Sequence, residues 1–196
     1  MKKLLFSLSV LGITSVLAIG ATTAYFSDTE TSSANTFTAG TLDLKLDGGD
    51  EDIVKFSITN MRPGNQPKRS FSFMNAGSLS GELILSSAII TDTENGILEP
   101  EGDAGDTTDP LGELSTVVNL RIFYDIGKDG WISTGDPVVF NGKVNTLSTP
   151  LTLISNIPSG NEENVVFLFD WWNTADDNKA QGDDFTLDLA FTLKQN

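Results

Sequence analysis

Asp125, Asp129, Ser133 and Asp136, with the backbone carbonyl of Trp131 between them, set oxygen donors at the intervals of a calcium-binding loop. Gly130 stands where such a loop must turn sharply. Hard oxygen ligands in that spacing suit Ca2+, which makes this segment the candidate metal site. Three features depart from the pattern: Gly127 replaces a third acid, Asp136 replaces the usual bidentate Glu, and strand-like rather than helix-like sequence flanks the segment. The same Asp/Gly spacing also builds a plain inter-strand turn, and the residues leave both readings open. A second acidic set, Asp92, Glu94, Glu99, Glu101, Asp103 and Asp106, falls within residues 91–113, which hold eight acids and no Lys or Arg. These acids could hold another cation, but their expected role is a solvated surface excursion, with one short helix near Pro110 to Ser115.

Much other chemistry is excluded by residue type. The 196-residue chain has no His and no Cys, so a Ser-His-Asp triad, an imidazole base, a thiolate nucleophile and His- or Cys-ligated zinc are all impossible. Twelve Lys and Arg against 27 Asp and Glu give a net charge of -15, the wrong sign for nucleic acid phosphate, so no nucleic acid partner is expected. No phosphate-binding glycine loop is present. Trp131, Trp171 and Trp172 suggest a sugar-stacking platform and hence a surface carbohydrate-binding adhesin as an alternative. Adjacent residues of a strand face opposite ways, however, so a core or subunit contact is the better reading of the Trp171-Trp172 pair.

The elements that must position these groups read as strands. Alternation of period two runs through Leu42, Leu44 and Leu46; Val54, Phe56 and Ile58; Phe71 and Phe73; Leu120, Ile122 and Tyr124; and Phe185, Leu187, Leu189, Phe191 and Leu193. Turn clusters separate them at Asp47-Gly48-Gly49, Arg62-Pro63-Gly64-Asn65 and Asn75-Ala76-Gly77. Asn141-Gly142 predicts a tight hairpin over 137–145. The expected fold is all-β, a jelly-roll-like β-sandwich of about eight to ten strands forming one domain, with an acidic surface excursion.

Ahead of the strands, Met1-Lys2-Lys3 and the uncharged run Leu4 to Ala21 match a secretory signal, and the small residues up to Ala24 place cleavage between Ala24 and Tyr25. An uncleaved membrane anchor is the competing reading, since about 18 apolar residues approach a span.

Three blocks carry a family resemblance. Tyr25-Phe26-Ser27-Asp28-Thr29-Glu30-Thr31 is followed by Asn35-Thr36-Phe37-Thr38-Ala39-Gly40-Thr41-Leu42-Asp43-Leu44. Met61-Arg62-Pro63-Gly64-Asn65 precedes a strand ending in Asn75-Ala76-Gly77, and Gln181-Gly182-Asp183 precedes a closing strand that ends in Gln195. Together they resemble the TasA/camelysin family of secreted proteins processed by a SipW-type signal peptidase.

The resemblance implies a secreted, extracellular subunit of matrix fibres or bundling pili, with itself as head-to-tail partner and other matrix or surface proteins as further partners. It implies a signal peptide at 1–24, a donor segment at 25–40 whose strand is Tyr25, Phe26, Ser27, Asp28, Thr29, Glu30 and Thr31, and a sandwich domain at 41–196. Physically, a free leading segment would carry Tyr25 and Phe26 into water unless an edge strand receives it. The residues alone allow it equally to fold back as its own first strand; the resemblance favours donation. The family also carries a metalloendopeptidase label. A chain that offers metals only carboxylates and carbonyls fits a hydrolytic zinc site poorly, so the expectation is a protein that is not an enzyme.

Overall fold

The computed structural model describes residues 40–50, 53–59, 61–172 and 177–195. The signal peptide 1–24, the Ala24–Tyr25 junction and the donor strand Tyr25–Thr31 lie outside the described residues. Nine strands are described: β1 (Leu44–Leu46), β2 (Ile53–Ile58), β3 (Lys68–Asn75), β4 (Gly81–Thr93), β5 (Asn119–Asp125), β6 (Val138–Lys143), β7 (Leu151–Ile157), β8 (Glu162–Asp170) and β9 (Asp184–Gln195). Two short helices, α1 (Glu99–Asp103) and α2 (Leu114–Val117), interrupt them between β4 and β5.

The strands form two sheets, a five-stranded one in the order β1-β3-β8-β5-β6 and a four-stranded one in the order β2-β9-β4-β7. Every pairing is antiparallel. Their inner faces meet, as alternating apolar strands require, and the fold is the expected all-β sandwich.

The clearest alternation is that of β9, where Phe185, Leu187, Leu189, Phe191 and Leu193 are all buried and the residues between them are not. Across the core, Phe71 and Phe73 of β3 meet them with Phe56 and Phe167. Phe73 and Phe191 stack edge to face at 4.9 Å between ring centroids, and Phe56 and Phe71 at 5.6 Å. Such offset aromatic pairs add about 0.5–1.5 kcal/mol each beyond area burial. In β4 the ladder with β9 slips between Leu85 and Ser87, which changes the phase of the strand: Leu83 and Leu85 are buried, whereas Ile89 is exposed.

Asn141-Gly142 does not make the predicted hairpin. Both residues lie inside β6, paired with Arg121 and Leu120 of β5, and the reversal of chain occurs over 126–137 instead. Gly142 serves close packing there, since a β-carbon on it would sit 3.0 Å from Thr146 Oγ1 and 3.3 Å from the Phe140 ring.

The turns that carry the family resemblance have definite work. In 62–65, Asn65 N–H donates to the Arg62 carbonyl at 3.0 Å and Gly64 takes a φ of 92°, open to glycine. Gly64 N–H then donates to the Trp171 carbonyl at 2.7 Å, docking the turn on the end of β8. Asn75 is fully buried; its Nδ2 donates to the carbonyls of Leu79 at 2.7 Å and Ile157 at 2.9 Å, and its Oδ1 accepts the Gly77 N–H. That corner receives the chain where it enters the domain: Ala76 N–H donates to the Asp43 carbonyl and Ser78 N–H to that of Thr41.

Candidate functional site

Asp125 closes β5, is buried, and accepts the Asp129 N–H on Oδ1 at 3.3 Å and the Gly130 N–H on Oδ2 at 2.7 Å. Asp129 Oδ1 accepts the Trp131 N–H at 2.7 Å. Asp136 accepts the Ile126 N–H on Oδ1, and the N–H and hydroxyl of Ser133 on Oδ2, both at 2.8 Å. Those hydrogen bonds hold the Asp136 carboxyl below the usual range. Lys68 Nζ donates to the Gly130 carbonyl at 2.6 Å and lies 3.2 Å from the Trp131 ring centroid, a cation–π contact. The loop of the sequence-derived metal site is thus closed by its own amides and by one ammonium.

The tryptophans divide by environment. Trp171 is buried and donates from Nε1 to Asp177 Oδ1 at 2.7 Å, while Trp172 and Trp131 are more than half exposed.

A second cluster gathers at the end of the β4–β9 ladder. Thr93 pairs with Asp184, so Glu94 and Asp183 emerge side by side where the two strands part. The excursion then folds over them: α1 brings Glu101, the following loop Asp106, and the approach to α2 brings Glu113. Carboxylate oxygens of Glu94, Asp106 and Glu113 lie within 4.8 Å of one another, as do those of Glu94, Glu101 and Asp183. Glu101 is 0% exposed, Asp183 3%, Asp106 6% and Glu94 7%.

The expected solvated acidic loop is therefore corrected for Glu94, Glu101 and Asp106, which are inside. Turn residues and two short helices fold the segment back on itself, so three of its acids point inward while Glu99 and Asp103 stay exposed. The helix expected near Pro110–Ser115 forms slightly later, as α2. Asp92, half-buried, accepts the N–H and hydroxyl of Ser115 and fixes the start of that helix.

Local donors hold one oxygen of four of these carboxylates. Leu98 N–H donates to Glu101 Oε2, Thr108 N–H to Asp106 Oδ1 at 2.9 Å, Thr108 Oγ1 to Glu113 Oε1, and Glu113 N–H to Asp183 Oδ2 at 2.6 Å. The other oxygens, Glu101 Oε1, Asp106 Oδ2, Glu113 Oε2 and Asp183 Oδ1, together with both of Glu94, are buried without a hydrogen-bond partner. Burial, then the neighbouring carboxylates, pushes Glu94 up to about 7. Burial also raises Glu113 and Asp183, whereas the Thr108 amide and hydroxyl lower Asp106. Reading the sequence alone misses Glu113 and Asp183; the fold of the excursion brings in the first and the Thr93–Asp184 register the second.

A third feature is an open sheet edge. β1 pairs only with Phe73, Met74 and Asn75 of β3. Asn75 N–H donates to the Asn161 carbonyl just ahead of β8 and the Pro67 carbonyl accepts the Phe169 N–H of β8, so the alternate residues Lys68, Ser70 and Ser72 point their backbone groups the other way. Ser72 is met by Asp47, whose N–H donates to its carbonyl and whose Oδ1 accepts its N–H at 2.9 Å. Among the described residues, no strand pairs with Lys68 and Ser70 on that side. The facing sheet ends there too, at β2, and grooves lie along the gap, lined at one end by Leu46, Val54 and Arg69 and at the other by Ile58, Met61 and Pro67.

No helix of the described residues is long and apolar enough to cross a membrane. Residues 2–109, more than half of the chain, match a family described as camelysin metallo-endopeptidase. No curated protein matches the chain. The family description overturns the expectation that the protein is not an enzyme, because it names a peptidase activity for the group. It also implies a metal. Imidazole and thiolate ligands are lacking throughout the sequence, so a zinc site of the usual donors does not fit, while the partnerless oxygens around Glu94 fit a hard cation. Its strand-built fold, its Pro-Gly and Asn-x-Gly corners and this match agree, and the chain belongs to the TasA/camelysin family of metallo-endopeptidase description.

Proposed function

We propose that the protein is a secreted subunit of extracellular fibres that polymerises by donating its N-terminal strand, Tyr25–Thr31, to the open edge of β3 in the next molecule. Supporting this reading most directly is the β3 edge at Lys68–Phe71, which pairs with β8 on one side while the N–H and C=O groups of Lys68 and Ser70 on the other form a ready template for an added strand. The grooves beside it offer apolar contact to Tyr25 and Phe26, each contributing about 1.5–3 kcal/mol on full burial. Donor and acceptor are different surfaces of one chain, so the contact is heterologous and propagates into a filament. Removal of residues 1–24 by a signal peptidase of the SipW type frees the donor.

The test is electron microscopy of the processed protein beside a variant lacking Tyr25 and Phe26. Filaments from the first and single particles from the second are expected; single particles from both at high concentration would end the proposal.

The family match favours a second reading, a metal-dependent endopeptidase. Cleavage of casein that stops on chelation and returns with added metal supports it, and metal-independent or absent cleavage refutes it.

A further inference from the structure

Five acidic side chains, four from the 94–113 excursion and one from the turn into β9, converge at the end of the β4–β9 ladder, and six of their oxygens are sealed from water with no amide or hydroxyl donor, Glu94 and Asp183 lying close enough to share a proton. Buried polar atoms in native proteins are nearly always satisfied, and buried carboxylates above all. In the sequence, residues 91–113 contain no Lys or Arg to supply an opposite charge. The arrangement is also selective. Each of Glu101, Asp106, Glu113 and Asp183 has one oxygen held by an amide or a threonine hydroxyl and the other left bare, while Glu94 leaves both bare. Second-sphere donors that orient carboxylates in this way are a regular feature of metal ligands. Gly112 makes room for it, since a β-carbon there would lie 2.9 Å from the Asp183 carboxylate.

We infer that Glu94, Glu101, Asp106, Glu113 and Asp183 form a buried calcium site that pins the 94–113 excursion to the end of the β4–β9 ladder. The oxygens fall into two triads that share Glu94, one with Asp106 and Glu113 and one with Glu101 and Asp183, and such an irregular set suits Ca2+, whose geometry is adaptable, better than Mg2+, which demands a near-ideal octahedron and keeps its waters.

The site is independent of strand donation and differs from the 125–136 loop, so the experiment separates them. Full-length protein freed of metal with a chelator is titrated with CaCl2 by calorimetry, with native mass spectrometry counting bound ions and hydrogen exchange locating the effect. The expected result is one Ca2+ per chain, a higher melting temperature, and new protection of amides in 94–113. Glu101→Gln should weaken binding about tenfold or more, and Asp136→Asn should leave it unchanged. Should Glu101→Gln fail to fold, the exchange map of the unaltered protein decides. Absence of Ca2+ binding at millimolar concentration, protection confined to 125–136, or binding lost in Asp136→Asn and kept in Glu101→Gln would each overturn the assignment.

Discussion

Gly77 lies so close to Thr41 that a β-carbon on it would sit 2.3 Å from the Thr41 carbonyl oxygen. The contact is backbone to backbone, so neither side can yield by turning a side chain. Together with the Asn75 amide, which ties the same corner to Leu79 and Ile157, it fixes the point at which the chain enters the sandwich. Gly77→Ala should therefore cost about 1–3 kcal/mol, lowering the melting temperature by about 2–4 °C per kcal/mol for a protein of this size. Gly48→Ala, with open space around it but a φ of 83°, isolates backbone strain from packing and should cost about 1–2 kcal/mol. Equal melting temperatures for Gly77→Ala and the unaltered protein would show that the corner carries no strain-sensitive packing.

Ser70 offers a cleaner probe of the open edge. Its N–H points away from β8, so Ser70→Pro removes no hydrogen bond of the described sheet, and proline is tolerated on such an edge. The expected outcome is a folded monomer that no longer elongates, read by circular dichroism and electron microscopy. Arg69→Pro, whose N–H faces β8, should instead destabilise the monomer by about 3 kcal/mol. Filaments of normal length from Ser70→Pro would place the acceptor elsewhere.

Tyr124 is pushed up to about 12 by burial first, and then by its hydrogen bond to Glu163, 2.9 Å away, and that carboxylate's charge. For a phenol the raised value means that the folded state favours the protonated form. The corresponding stability is complete below about pH 10 and disappears as pH rises from about 10 towards 12. A tyrosinate absorbance titration should show a late step that Tyr124→Phe abolishes and Glu163→Gln moves downward. A step that stays at its place in Tyr124→Phe would assign it to another group.

Lys68 grips the 125–136 loop twice, through the Gly130 carbonyl and the Trp131 ring. Lys68→Ala should free Trp131, raising the share of tryptophan fluorescence open to acrylamide, at a cost of about 0.5–1 kcal/mol for an exposed cation–π contact. Unchanged quenching would mean that the ring is held by something other than the ammonium.

Legibility in the sequence followed how local each signal was. β9 announces itself through five apolar residues at alternate positions, because one face of a strand is a purely local property. Asn141-Gly142 misleads for the opposite reason: its turn propensity is real, but pairing with Arg121 and Leu120 outweighs it. The acidic excursion reads as solvated because composition says nothing of convergence; Asp183 lies far along the chain from Glu94, and only the register of β4 on β9 joins them. The Asp spacing of 125–136 serves ligand loops and amide-closed turns alike, and hydrogen bonds to Asp125 and Asp136 become visible only in three dimensions.

Asp47 punctuates the sheet. By taking the Ser72 amide on its carboxylate and giving its own N–H to the Ser72 carbonyl, it ends β1 with a stop that a newcomer cannot slide past. In a filament built on this edge, every arriving ribbon would butt against the same post and halt at the same residue. One aspartate would then act as the ruler that makes successive links equal in length.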